Sequence, residues 1–146
     1  MKGNTVTLTI AEAIERFSVD IDAHLDRQAT IPVLDGLQFQ GDVAIVPAVM
    51  ANRPTALAAT VLPAAGFPVV RGESGGNTHL LLAQGDVRFD AHQGGDTDLR
   101  LGTLTVAEGA TAYLAHPEHA YTGIAPGTYE LRRQREQADE IRMVAD

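Results

Sequence analysis

Turn-forming residues interrupt the chain roughly every 8–12 residues from about residue 33 onward, and this spacing constrains the fold most. Glycine, aspartate and proline separate short apolar or alternating runs, such as 43–46 and 101–106. Short strands at regular spacing are typical of β-sandwiches and β-barrels. The sequence therefore predicts a mostly β protein that folds as a single antiparallel barrel or sandwich.

One segment before this region has the period of a helix. Apolar residues recur there at steps of three and four: Ile10, Ile14, Phe17, Ile21 and Leu25. Thr9 and Glu12 have the spacing of a capping box, and Ile31-Pro32 disfavours continuation. We therefore predict an N-terminal amphipathic helix over about residues 10–27. We expect Ile14 and Phe17 to be buried, either against the sheet or in a self-association seam.

The chain length of 146 residues favours one domain over residues 1–146, with the β-rich part at 33–146. The pattern predicts one hairpin over 79–90 and another over 101–115. The phrase Gln-Gly-Asp-Val occurs at 40–43 and again at 84–87. Either a duplicated unit or two independent turns that favour Gly-Asp explains the repeat.

The charge balance disfavours nucleic acid as a partner. The chain has 11 basic and 19 acidic residues and a net charge of −8, whereas phosphate backbones attract lysine and arginine. No apolar run is long enough to span a membrane, so no membrane association is expected. The absence of cysteine excludes disulfides and thiolate ligands, and a cytoplasmic location is the simplest expectation.

The stretch His116-Pro117-Glu118-His119 concentrates metal-ligand residue types. Strands that are distant in sequence can point at one centre, so His79 at the start of a predicted strand could join it. The predicted divalent-metal ligands, for Zn, Mn, Fe or Ni, are His79, His116, Glu118 and His119. Strand alternation puts His119 on the opposite face from His116 unless a turn at Pro117 bends the chain. The alternative is a solvated loop with histidines bonded to the backbone.

An arginine-rich strand is predicted after the turn at Pro126-Gly127. Tyr129, Arg133 and Arg135 share one face of it, which suits an anionic small molecule or the carboxylates of a partner. Ion pairing across neighbouring strands is the alternative, since the chain carries 19 acidic residues.

The segments 73–81 and 114–136 resemble an uncharacterised group of small bacterial proteins. The shared features are a His-x-Glu-His stretch, a Pro-Gly-x-Tyr-Glu turn and an Arg-x-Gln-Arg-Glu strand. This resemblance implies a grouping and no activity. The glycine turns, His79 and Pro126-Gly127 are also loosely similar to cupins, although a His-x-His pair is absent. That second resemblance implies a histidine-bearing barrel and no ligand roles.

Two classes of function follow from these features. The first is a small binding or assembly module without catalytic activity of its own, which meets a protein partner or self-associates into an oligomer. The alternative is a metal-dependent, His/Glu-ligated enzyme, either a hydrolase or a cupin-like dioxygenase. The sequence shows no complete nucleophile–base pair or cofactor loop, so the binding module ranks first and the catalytic residues are unassigned.

Overall fold

The structure is a computed structural model that describes residues 7–51, 56–70, 78–92 and 99–134. Within these residues the chain forms one α-helix, one short 3-10 turn and ten strands. The helix α1 spans Ile10–Phe17 and the 3-10 turn spans Ala48–Met50. The strands are β1 Val33–Leu34, β2 Gln38–Gln40, β3 Val43–Pro47, β4 Phe67–Val70, β5 His79–Gln84, β6 Val87–Ala91, β7 Arg100–Val106, β8 Thr111–His116, β9 Ala120–Ile124 and β10 Gly127–Arg133.

The strands form two five-stranded sheets. The first sheet has the order β1-β9-β8-β5-β4, and the second has the order β2-β3-β10-β7-β6. Neighbouring strands among the described residues are antiparallel apart from β1 and β9, which run parallel. The mostly β, antiparallel-rich prediction is therefore confirmed. The described strands do not close into a barrel, and their arrangement is sandwich-like.

The core between the sheets follows from strand alternation, because every second side chain points to the same face. Apolar side chains of both sheets meet there in one buried cluster, which includes Leu81 and Leu114 from the first sheet and Leu104 and Leu131 from the second. The hydrophobic effect holds the two inner faces together.

The N-terminal segment covers the outer face of the first sheet. Ile10 and Ala13 of α1 are buried there with Tyr113 of β8 and Tyr121 of β9. The ring of Phe17 lies 5.5 Å from that of Tyr113 and 6.4 Å from that of Tyr121, measured between centroids. This docking against the sheet supports the first of the two roles expected for the apolar stripe.

The predicted helix length was wrong, because α1 ends at Phe17 instead of near residue 27. The capping box is present: Thr9 accepts from the Glu12 N–H, and the Glu12 carboxylate accepts from the Thr9 N–H. At the other end Ser18 adopts a left-handed conformation with φ 60°. The backbone that follows Ser18 forms hydrogen bonds outside the helix, since the Asp22 N–H donates to the Pro117 carbonyl. These local and tertiary bonds replace the helical ladder.

The apolar stripe nevertheless identifies residues that pack on this sheet. Ile21 is buried and Leu25 packs against the same cluster, although neither is helical. Ile14 and Phe17 are half-buried, so the expectation of full burial was too strong. No helix within the described residues is long and apolar enough to cross a membrane.

Both predicted hairpins were wrong in their pairing. β5 and β6 belong to different sheets, as do β7 and β8, so each tight connection crosses from one sheet to the other. β6 pairs instead with β7, and β5 pairs with β8. Turn residues and alternation mark where a strand reverses, but they do not specify whether the next strand joins the same sheet.

The two Gln-Gly-Asp-Val phrases accordingly have different structural roles. The first closes the β2–β3 hairpin within the second sheet, where Gln40 pairs with Val43. The second connects the two sheets between β5 and β6. Gly41 and Gly85 both have positive φ, at 57° and 94°, which explains the shared glycine. The repeat therefore fits two independent turns better than a duplicated unit.

Placing a charge at Phe17 should undock α1 from the first sheet. We expect Phe17→Asp to lower the free energy of unfolding by about 2 kcal/mol, because it removes apolar packing and exposes a carboxylate to an apolar surface. Urea unfolding followed by circular dichroism measures this difference. Glu15→Gln, at an exposed position of the same helix, is the control and should change stability by less than about 0.5 kcal/mol. Equal urea midpoints for Phe17→Asp and wild type would show that the docked helix contributes little.

Candidate functional site

Two of the candidate histidines are neighbours at one end of the sandwich. β5 pairs with β8 so that Leu80 lies opposite Ala115, and the next step of this register brings His79 beside His116. Both side chains share the inner face with Leu81 and Leu114, and both are buried. Their ring centroids are 4.3 Å apart.

A tight turn brings the third histidine to the same place. The His119 N–H donates to the His116 carbonyl over 3.2 Å, Pro117 occupies the second turn position, and Ala120 has φ 63°. The chain reverses within this three-residue loop, so strand alternation no longer applies to His119. Its ring centroid lies 4.5 Å from that of His116 and 6.1 Å from that of His79. We call His79, His116 and His119 the histidine cluster.

Gln40 of the second sheet holds His79, one of the two buried members of the cluster. Its side-chain nitrogen donates to the Leu114 carbonyl at 2.7 Å and to the Thr122 hydroxyl at 3.0 Å, which fixes the amide orientation. The Gln40 oxygen therefore accepts from Nδ1 of His79, 2.9 Å away. Because Nδ1 carries the proton, Nε2 of neutral His79 has an unshared electron pair.

That electron pair faces a carboxylate. Nε2 of His79 lies 3.4 Å from Oδ1 of Asp42, which follows Gly41 in the β2–β3 turn. The His79 side chain is 4% exposed, whereas the Asp42 side chain is 46% exposed, so solvent reaches the pair from the Asp42 side. Burial, aided by the neighbouring His116, lowers the pKa of His79 to about 4, while the Asp42 carboxylate acts in the opposite direction. His79 is thus neutral at pH 7.

His116 has the opposite tautomer. Its Nδ1 accepts from the Glu118 N–H over 3.0 Å, so the proton of the neutral ring lies on Nε2. Burial lowers the pKa of His116, the neighbouring His119 lowers it further, and Glu118 acts to raise it. His116 is therefore a neutral ring that lies against the rings of the other two histidines.

Gly41 makes the close approach of His119 possible. A Cβ at this position would lie 2.9 Å from Nε2 of His119 and 3.3 Å from Cε1 of His79. The φ of 57° also favours glycine. The turn that carries Asp42 thus lies directly against two of the three imidazole rings.

The structure brings together three of the four predicted metal ligands. His79, His116 and His119 adjoin one another, whereas Glu118 is exposed at the tip of the β8–β9 turn. As the side chains are arranged, no group of three His, Asp or Glu residues in the described ranges stands ready to hold a metal ion. The rings of His79 and His119 are nearly parallel, and the ring of His116 is tilted against both.

The predicted anion-contact residues are separated. Tyr129 is buried in the core, where its hydroxyl donates to the Ala125 carbonyl at 2.6 Å and burial raises its pKa to about 12, aided by Asp35. Arg133 lies near the histidine end, since it pairs with Val43, and its buried Nε has no hydrogen-bond partner in the part of the chain that is described. Arg135 lies outside the described residues.

Sequence reasoning missed Gln40 and Asp42. They are 39 and 37 positions before His79, and the phrase that contains them reads as an ordinary β-turn. Its second copy, which holds Asp86, connects the two sheets. No spacing rule distinguishes the two copies, because the neighbours of Asp42 come from the other sheet.

Comparison with known families identifies a domain of unknown function, DUF8820, over residues 39–134. The chain belongs to this family, and the match contains the histidine cluster together with Gln40 and Asp42. This agrees with the resemblance to an uncharacterised group. Comparisons with curated proteins and with solved structures give no match.

Proposed function

We propose that this domain is a binding module without catalytic activity of its own, and that it binds a cation between His79 and Asp42. The observation that carries the proposal is the 3.4 Å approach of an unprotonated ring nitrogen to a carboxylate oxygen. Both atoms present electron pairs at neutral pH, so they repel each other when nothing positive lies between them. A cation at this place turns the repulsion into attraction.

Hydrogen bonding alone does not account for this pair. An N–H···O bond joins heavy atoms at about 2.7–3.2 Å and needs a proton on one of them. The proton of His79 is on the opposite nitrogen, where Gln40 accepts it. Burial also opposes a second proton, since it lowers the pKa of His79 to about 4. The arrangement therefore favours a bound ion over a protonated histidine.

A binding role needs only the two facing donor atoms, the ring nitrogen of His79 and the carboxylate oxygen of Asp42. A metal-dependent hydrolase or cupin-like dioxygenase stays the alternative to this binding role. A protein partner or self-association stays a prediction of the binding role itself and would add to the cation site.

Calorimetric titration of tag-free, chelator-treated protein with Zn²⁺, Ni²⁺, Mn²⁺, Ca²⁺ and Mg²⁺ in turn tests the proposal. We expect at least one ion to bind with 1:1 stoichiometry. His79→Ala and Asp42→Asn should each weaken that binding at least about tenfold, because each removes one of the two facing donors, and tenfold corresponds to about 1.4 kcal/mol.

Asp86→Asn is the matched control. Asp86 occupies the same position in the second Gln-Gly-Asp-Val phrase, where its carboxylate pairs with Arg88. This variant should bind the ion as the wild type does. The proposal fails when no ion binds at 1:1, or when His79→Ala and Asp42→Asn bind as tightly as Asp86→Asn.

A further inference from the structure

We propose that His119 is the third ligand of this site, and that the ion is a zinc-class divalent metal held by two imidazoles and one carboxylate. The inference rests on the proposed function, because it assigns the chemistry of the same cation site. The ligands are Nε2 of His79, Oδ1 of Asp42 and an imidazole nitrogen of His119. Three protein ligands leave the fourth position of a tetrahedral ion to water.

The distance between the first two donors matches a tetrahedral ion. Two ligand atoms at about 2.1 Å from one metal, separated by a tetrahedral angle, lie about 3.4 Å apart. Nε2 of His79 and Oδ1 of Asp42 are 3.4 Å apart. An octahedral angle with the same bond lengths would separate them by about 3.0 Å. The pair is therefore spaced as one edge of a zinc-type coordination tetrahedron.

The donor types point to the same class of ion. Imidazole nitrogen suits zinc, nickel, copper and iron, whereas calcium and magnesium prefer oxygen ligands throughout. Gln40 supplies the outer support that such sites use, since it accepts the Nδ1–H of His79 and so orients Nε2 toward the ion. Gln40 is itself held by bonds to β8 and β9.

His119 is the side chain that can complete the set. Its Nε2 lies over Gly41, next to Asp42 in the chain, and its ring adjoins the rings of His79 and His116. Unlike the other two histidines it is exposed. Rotation about its side-chain bonds would direct a nitrogen toward the pair without rearranging the core.

His116 is excluded from the ligand set by its hydrogen bond. Its Nδ1 already accepts from the Glu118 N–H, so its Nε2 carries a proton. Nε2 could ligate a metal only by losing that proton, which would leave an anionic ring while Nδ1 still accepts. His116 instead packs against the rings of His79 and His119.

Cobalt(II) is the probe for this inference, because tetrahedral Co²⁺ absorbs visible light much more strongly than octahedral Co²⁺. Tag-free wild-type protein should give the intense spectrum at one equivalent, and Zn²⁺ should displace the cobalt. We expect His119→Ala to lose the intense spectrum and to weaken Zn²⁺ binding at least about tenfold. His24→Ala, at an exposed histidine before the sheets, is the matched control and should retain both.

The variants separate this inference from the proposed function. His116→Gln should retain the tetrahedral spectrum, and a loss as complete as that of His119→Ala would overturn the ligand assignment. If His79→Ala and Asp42→Asn weaken ion binding but His119→Ala does not, His119 is not the third ligand. The proposed cation site between His79 and Asp42 would still be supported. Protein that binds none of the tested ions would overturn both. Circular dichroism of each variant verifies that it is folded.

Discussion

Gln40→Leu is expected to lower the free energy of unfolding by about 3 kcal/mol. Gln40 is 3% exposed and bridges the two sheets with both ends of its amide. Leucine has a similar volume but cannot donate to the Leu114 carbonyl or the Thr122 hydroxyl. It also leaves the Nδ1–H of buried His79 without its acceptor. Each unsatisfied buried polar group costs about 1–3 kcal/mol.

Urea unfolding of Gln40→Leu, wild type and a control measures this loss. Gln38→Leu is the control, because Gln38 lies on the same strand and also donates across the sheets, to the Gly123 carbonyl, but is only half-buried. We expect that control to lose about 1 kcal/mol. A Gln40→Leu variant no less stable than Gln38→Leu would show that the buried bridge does not hold this end of the sandwich together.

Acidification should destabilise the metal-free protein through His79. Its pKa falls from about 6.5 in the unfolded chain to about 4 in the fold, because burial disfavours the charged ring, and His116 acts in the same direction. Between these two values the unfolded state binds more protons than the folded state. The stabilising contribution is therefore complete above pH 6.5 and is lost as the pH falls toward 4. The shift corresponds to about 3 kcal/mol.

Urea unfolding at pH 7 and pH 4 in the presence of a chelator tests this expectation. His79→Gln removes the titrating ring and should lose about 3 kcal/mol less than the wild type over this pH interval. Carboxylates such as Asp20 and Asp90 also have lowered pKa values, but they contribute equally to both proteins. His24→Gln should follow the wild type. Identical losses in wild type and His79→Gln would contradict a buried, neutral His79.

The β-rich fold was predictable because its signals are local. Turn residues, strand alternation and the Thr9–Glu12 capping box each depend on a few consecutive positions. Pairing was not predictable in the same way. The connections after Gln84 and after Val106 are as short as hairpin turns, yet each crosses between sheets. The choice depends on which inner faces bury one another, and that is a property of the whole core.

The candidate site was predictable only in part, for the same reason. The composition of the stretch that holds His116 and His119 was enough to identify it. Strand alternation would have separated the two side chains, but the turn at Pro117 brings them to the same side. Glu118 has a ligand-type side chain, but the same turn leaves it exposed at the tip. What Glu118 contributes to the cluster is its backbone N–H, which sets the tautomer of His116.

By itself, the sequence determined the strand-rich architecture and the face of the N-terminal segment that packs on a sheet. It also identified the histidines that are candidates for a binding site. Only the tertiary structure decided that Gln40 and Asp42 belong with them. These two residues lie on the second sheet, whereas the histidines lie on the first. Their meeting requires both sheets to be packed, because no covalent neighbour relation or periodicity links a β2–β3 turn to the start of β5. Nε2 of His79 therefore faces the Asp42 carboxylate only when the two sheets are packed against each other.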